Sequence, residues 1–352
     1  MKKICLVIPS LQAGGMERVM SELANYFCTK SGIAVHLIIL AKSEIFFDLS
    51  PQIIVHMPAF YFNQKFRLFF IIKTLFFLRN LFLAIRPDAV LSFGEMYNSF
   101  VLLASIHLKT RVFVSDRSKP DKPWGRFHEL LRKKLYPLAH GIIAQTSYSK
   151  DYLKKLTAHQ NIKVIPNPVK IIESKLNEKQ NIILNVGRLI PSKRIDIIID
   201  IFSKLNCDNW RLWIVGDGPQ EKILKNQTAR LGMENKVVFW GRQKNVENFY
   251  SKAKLFAFTS ISEGFPNALM EAMACKSACI AFDCVTGPSD LIKDGVNGFL
   301  VPILNIQEYT EKLETLTKRP ELIEMFSERA FLTVQELKID SIGDQYLNFL
   351  LS

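Results

Sequence analysis

Cysteine is scarce, six residues in 352, and no two of them form a C-x-x-C pair. A disulfide scaffold is thereby excluded. Cys5, Cys28, Cys207, Cys275, Cys279 and Cys284 read as small core hydrophobes in a reducing compartment. Zinc-type spacing, low-complexity segments and short-period repeats are absent too. Charged residues make up 22 % of the chain against 48 % hydrophobic ones, so global disorder is excluded. The start, Met1 to Pro9, mimics a signal peptide. Its apolar run is too short, Pro9 ends it and no small-residue cleavage site follows, so it reads as a buried first strand.

Acidic residues are short in the first half. Residues 1–170 hold 24 Lys and Arg against 10 Asp and Glu, a net of +14, whereas residues 171–352 hold 22 against 23, a net of −1. The whole excess of +13 lies in one half, which must meet something anionic that the other does not. The unusual segment there is residues 65–86, KFRLFFIIKTLFFLRNLFLAIR. It has the length of a membrane span, but Lys73, Arg79 and Asn80 interrupt it, which argues against spanning. At about 100° per residue, Lys65, Lys73, Arg79 and Arg86 share a broad arc with Phe69, Ile72, Phe76 and Leu83. Basic heads around protruding rings suit a helix lying in an anionic membrane interface; a buried domain helix with snorkelling cations is the alternative. The pattern favours the interface, with Phe69, Lys73, Phe76, Arg79 and Leu83 at the membrane. A second basic segment, residues 124–134, reads by itself as a solvated helix face.

Apolar runs alternate with helical stretches. Strands are expected at residues 4–8, 35–40, 89–92, 111–115, 141–145 and 163–165. A second series follows at 181–186, 211–215, 237–240, 255–258, 277–282 and 298–301. Helices suit 15–27, 195–205, 219–231 and 266–274, and the tail from 320 to 352 is helical in pattern. Strand–helix alternation means parallel sheets covered on both faces. Two series, separated by Asn167-Pro168 and a polar stretch at 173–180, predict two Rossmann-like domains with the reaction in a cleft between them. The boundaries expected are 1–170, 171–335 and a final helix at 336–352.

The dinucleotide G-x-G-x-x-G, the P-loop Gly-Lys-Ser/Thr and the metal-binding Asp-x-Asp are all missing. What stands at the first turn is Gly14-Gly15 at a helix start, which lets backbone N–H groups approach a phosphate or sugar hydroxyl, or is merely a tight turn. The second domain opens with NVGRLIPSK, where Gly187 admits a ligand while Arg188 and Lys193 stand at a strand end. Two fixed cations suit a diphosphate whose charge grows as it leaves. Gly216-Asp217-Gly218-Pro219 and Gly241-Arg242 end the next two strands. The most informative segment is Ser262 to Glu271, SEGFPNALME. Pro266 suits a helix start, the N–H groups near Phe265 and Asn267 make an anion site, and Glu263 and Glu271 can accept bonds from vicinal hydroxyls.

This ordered set resembles the retaining GT-B glycosyltransferases of family four (glycosyl transferases group 1) over nearly the whole chain. The E-x7-E motif is Glu263 to Glu271, and GGMERV, VIPNPV, NVGRL…K, GDGP and GPSDLIKDGVNGFLV match in order. The resemblance implies an α/β GT-B fold, two Rossmann-like domains facing across a cleft. Arg188 and Lys193 would neutralise the leaving nucleoside diphosphate. Glu263, with backbone of Gly264, Phe265, Pro266 and Asn267, would meet the donor sugar, and Glu271 the ribose. Gly14 and Gly15 would sit against the donor phosphate and the acceptor, and Gly187 and Arg242 would complete the donor site beside the base. One departure is Arg117, which stands where many relatives place a His facing the donor sugar. Arg cannot readily lose its proton, so its expected part is a hydrogen-bonding contact to sugar or acceptor.

The activity implied is metal-independent, retaining transfer of a hexose or N-acetylhexosamine from a UDP-sugar to a polyprenyl-diphosphate-linked saccharide. It would serve bacterial surface glycans, on the inner face of the cytoplasmic membrane, with no cofactor, metal or nucleic acid. A nucleotide-sugar epimerase of the same architecture and a basic nucleic-acid-binding protein are the rivals. The second lacks any recognition-helix or RNA-binding signature.

Overall fold

The computed structural model describes residues 1–171 and 179–352. They form two compact units: Met1–Pro168 together with Ile339–Ser352, and Val169–Lys338. The sequence placed these borders at 170 and 335. Of the expected polar stretch at 173–180, residues 173–178 lie outside the described residues.

The first unit runs β1 (Lys2–Ile8), α1 (Gly15–Cys28), β2 (Ile33–Ile39), β3 (Ile54–His56), α2 (Arg67–Ile85), β4 (Ala89–Phe93), α3 (Glu95–Ser105), β5 (Arg111–Ser115), α4 (Arg126–Leu135), β6 (Gly141–Ala144), α5 (Ser147–Thr157) and β7 (Ile162–Val164). The seven strands are parallel, in the order β3-β2-β1-β4-β5-β6-β7. Near-continuous Ile, Val and Leu runs such as Ile4 to Ile8 are buried, as a sheet covered on both faces requires. The strand order reverses beside β1, so its carboxyl end and that of β4 flank a switch point where ligands of such sheets bind. β3 is an addition to the sequence reading. Three residues are too few for a periodic signal to rise above the surrounding loop.

The chain's last helix, α13 (Ile339–Leu351), belongs to this unit and packs on α1. Gly343 makes that possible, because a Cβ there would lie 2.2 Å from the Tyr26 ring. The Tyr26 hydroxyl donates to Asp344 Oδ1 at 2.8 Å, and the Phe349 ring meets Phe113 edge-on.

The second unit runs β8 (Gln180–Val186), α6 (Ile195–Lys204), β9 (Arg211–Val215), α7 (Glu221–Arg230), β10 (Val237–Gly241), α8 (Glu247–Tyr250), β11 (Ala253–Phe258), α9 (Asn267–Ala274), β12 (Ala278–Asp283), α10 (Pro288–Leu291), β13 (Phe299–Pro302), α11 (Ile306–Lys318) and α12 (Pro320–Val334). Its six parallel strands lie in the order β10-β9-β8-β11-β12-β13. Ile197, Ile198, Ile201 and Phe202 of α6 pack on one face of this sheet, and Leu269, Met270 and Met273 of α9 on the other. Lys179, read from sequence as linker, is instead a buried plug. Its Nζ donates to Tyr250 O, Ala253 O and Ser277 Oγ, and burial lowers it to about 8. Five of the six cysteines are buried, Cys28 partly so, and all six are free thiols.

Candidate active site

At the carboxyl edge of the second sheet, β8 delivers Gly187 and Arg188, and a 3-10 turn, Pro191–Lys193, follows. The next turn presses against this one. Gly216, at φ +135°, would place a Cβ 1.9 Å from the Gly187 carbonyl oxygen, so only glycine fits. Leu189 N–H donates to Asp217 O (2.8 Å), Gln220 N–H to Leu189 O (3.0 Å) and Gly216 N–H to Gly241 O (2.8 Å). The turns after β8, β9 and β10 are thus stitched into one surface. Glycines that looked in sequence like separate turns share a single task, which is to hold the Arg188 loop.

From the other side, β11 ends in hydrogen bonds to the same loop. Thr259 Oγ1 donates to Lys193 O (2.8 Å) and Ile261 N–H to Ser192 O (2.9 Å). Four residues beyond Thr259, the Glu263 carboxylate forms an ion pair with Lys193 Nζ. The Lys193 stem runs past Gly187, whose Cβ, if present, would be 3.6 Å from Lys193 Cε. Glu263 O accepts a bond from Thr286 Oγ1, and Gly287 has its α-carbon against the Pro266 ring. The GPSD segment therefore buttresses EGFPN. Arg188 is exposed and has no side-chain partner among the described residues.

Phe265 and Pro266 are buried, so they shape the loop from beneath. The Asn267 N–H donates to Phe265 O at 3.0 Å. This corrects the sequence expectation that it is free for an anion, because the loop folds back on itself at the helix start. Glu271 lies one turn inside α9, where Tyr250 OH donates to its Oε2 at 2.9 Å. Arg242 is turned toward Asp217, with Nη2 at 2.8 Å from Oδ2 on the exposed rim. Gly187, Lys193, Glu263, Gly264 and Glu271 thus occupy one edge of the second unit.

The first unit holds the remaining candidates. Gly14 caps α1 in an extended conformation, and the Glu17 carboxylate folds against it. The acid therefore sits where the sequence reading placed a donor phosphate. Arg117 is engaged on the protein. Its guanidinium lies 3.3 Å over the Phe93 ring and donates to Asn167 Oδ1 (2.6 Å) and Tyr346 OH (2.8 Å). Asn167 Oδ1 also accepts from Gln145 (2.7 Å), which gives the Asn of VIPNPV a structural role. Below it, the Arg117 N–H donates to buried Glu95 (2.8 Å). Burial and then neighbouring Asp116 hold the Glu95 carboxyl above its usual range. Asp116 pairs with Arg132 (2.6 Å) and accepts from Tyr136 OH (2.6 Å). Arg132 is fully buried, which corrects its reading as part of a solvated basic face; Lys133 and Lys134 are exposed.

Along α2 the exposed residues include Phe69, Ile72, Lys73, Phe76 and Leu83, while Thr74, Leu78, Phe82 and Ile85 are buried. Lys73 Nζ lies 4.4 Å over the Phe60 ring. Arg79 leaves the expected set, because its Nη1 donates to Ala104 O (3.0 Å) and Ile106 O (2.9 Å) at the end of α3. By length and composition the stretch Gln64–Ile85 suffices to cross a membrane, but its buried stripe belongs to the first unit's core. Tyr250 and Tyr346 escaped the sequence reading. Each is a lone residue whose partner lies 21 or 229 positions away, so no local pattern marks it.

Residues 13–171 match the family model described as Glycosyltransferase Family 4, and residues 168–333 the one described as Glycosyl transferases group 1. The chain is 28 % identical over 346 residues to the amylovoran biosynthesis glycosyltransferase AmsD of Erwinia amylovora, covering 94 % of each. It is 27 % identical over 363 residues to a Campylobacter jejuni enzyme, covering 99 % of this chain and 98 % of that one. That enzyme is named GalNAc-alpha-(1->4)-GalNAc-alpha-(1->3)-diNAcBac-PP-undecaprenol alpha-1,4-N-acetyl-D-galactosaminyltransferase. Among solved structures, a variant of S. aureus TarM in complex with fondaparinux, alpha-GlcNAc-glycerol and UDP superposes with a TM-score of 0.82 at 15 % identity, covering all of both chains. The two family models together run from residue 13 to residue 333 without a gap, and the chain belongs to the family-four, group 1 glycosyltransferases of GT-B fold.

Proposed function

We propose that this glycosyltransferase moves a hexose or N-acetylhexosamine from a UDP-sugar to a polyprenyl-diphosphate-linked saccharide, with retention at the anomeric carbon. One observation carries the reading: Arg188, Lys193, Glu263 and Glu271 lie along one stitched edge of the second sheet. Arg188 and Lys193 receive the diphosphate, Glu263 the sugar hydroxyls and Glu271 the ribose. The acceptor hydroxyl attacks the anomeric carbon from the face the leaving group departs. The bond from that carbon to the diphosphate oxygen breaks, UDP leaves, and a phosphate oxygen takes the acceptor proton. The two cations stabilise charge that is largest in the transition state, and the scheme requires no metal ion.

The nucleotide and acceptor classes draw support from relatives. The TarM crystal contains UDP, and the name of the Campylobacter relative specifies an undecaprenol-diphosphate acceptor. Exposed Phe69 and Phe76 beside Lys73 support docking on an anionic membrane surface, the side from which such an acceptor is reached. Enzyme assayed with a panel of UDP-sugars and diphosphate-linked lipid saccharides is expected to yield an alpha-linked product from an alpha-linked donor, with EDTA present. An inverted anomer overturns retention. Loss of turnover in EDTA overturns metal independence. Sugar conversion without acceptor makes the enzyme an epimerase.

A further inference from the structure

We infer that Glu263 serves as an internal substitute for the donor diphosphate, so that the site selects the intact nucleotide-sugar over the spent nucleoside diphosphate. This rests on the function proposed above. Of the two cations assigned to the diphosphate, Arg188 is exposed, whereas Lys193 is already neutralised by Glu263. The pair is not a casual surface contact. The two side chains are only 22 % and 12 % exposed. The backbone of each is fixed, Lys193 O by Thr259, Ser192 O by Ile261, and Glu263 O by Thr286.

A nucleoside diphosphate that takes Lys193 leaves Glu263 as a mostly buried carboxylate without its cation, which is costly. The intact donor removes that cost. Its phosphate takes the ammonium while its sugar hydroxyls donate to the vacated carboxylate. After the sugar has moved to the acceptor, Glu263 loses those donors and competes with the phosphate for Lys193. The ion pair then assists release of the product nucleotide. Glu263 thus acts twice, by touching the sugar and by setting how tightly the same site keeps UDP.

The test is calorimetric titration with UDP and with UDP-N-acetylglucosamine, UDP-N-acetylgalactosamine, UDP-glucose and UDP-galactose. Glu263→Gln keeps the shape and removes the charge. It is expected to bind UDP roughly 5- to 20-fold more tightly than wild type, while its preference for UDP-sugar over UDP falls by at least as much. Glu263→Asp, which shortens the reach, is expected to lie between. In a Lys193→Met background the Glu263→Gln tightening should vanish, because there is no ammonium to free. UDP binding that is unchanged or weaker in folded Glu263→Gln overturns the inference while leaving the proposed function standing. Wild type that binds neither UDP nor any of the four UDP-sugars overturns both. Tightening that persists in the Lys193→Met background also overturns it, since Glu263 would then repel the phosphate directly.

Discussion

Tyr250 illustrates how one hydroxyl sets the behaviour of a distant carboxylate. It is buried on α8, and its OH donates to one oxygen of Glu271 and so fixes the carboxylate. Tyr250→Phe keeps the ring and removes that bond, so Glu271 must adopt its geometry on binding. We predict a rise in the donor KM of about 3- to 10-fold with kcat nearly unchanged, the pattern of lost ground-state positioning. A fall in kcat alone would place Tyr250 in the transition state instead. Arg117 marks the opposite case. Sequence placed it as a sugar or acceptor contact, yet the structure spends its guanidinium on Asn167, Tyr346 and the Phe93 face. What the sequence showed was a cation after a strand. One of that cation's partners, Tyr346, lies 229 positions away, and only folding brings the two together.

Elements tell a more legible story. The strands are apolar runs that cannot stay in water, and their ends differ from the expected ones by at most two residues, as at β11. The misread features were of another kind. In sequence Lys179 reads as linker, because a lysine in a polar stretch carries no local sign of burial, yet its Nζ donates to the Tyr250 carbonyl. By helical position Arg79 falls on an outer arc, but its length lets it reach back to the carbonyls ending α3. α13 offers a direct energetic test. In most helices Gly→Ala stabilises by about 1 kcal/mol through propensity. At Gly343 a new methyl would overlap the Tyr26 ring and loosen the Tyr26–Asp344 bond. Overpacking of this kind costs about 1–3 kcal/mol and outweighs the propensity gain. Gly343→Ala is therefore expected to lower the denaturant midpoint with the slope unchanged, and a raised midpoint would refute the packing argument.

At the scale of the whole molecule, the question is how the uneven charge is used. Residues 1–170 carry a net +14 and include α2, whose Phe69 and Phe76 are each 60 % exposed. Rings held in water beside cations have an energetic reason to enter an anionic lipid interface, where both apolar area and charge are satisfied. The second half carries a net charge of only −1. We predict that the protein floats with vesicles containing phosphatidylglycerol and not with neutral phosphatidylcholine ones. Phe69→Ser with Phe76→Ser should reduce bound protein at least tenfold while the melting temperature holds. Equal flotation of that variant would remove α2 from the interface.

Sequence by itself determined the two parallel α/β series and the glycines of the βα turns, because these depend on local periodicity or on close backbone approach; the E-x7-E pair was legible only through the family resemblance. It also determined the charge asymmetry, which is simple composition. Tertiary structure alone decided which charges are spent and which remain available. It buried Arg132 on Asp116, tied Arg117 to Tyr346, closed the Asn267 amide and set Glu263 against Lys193 while leaving Arg188 open. The physical reason is reach. A charged side chain finds its partner in space, and residues 70 or 229 positions apart in sequence meet only once the sheets have brought their ends together.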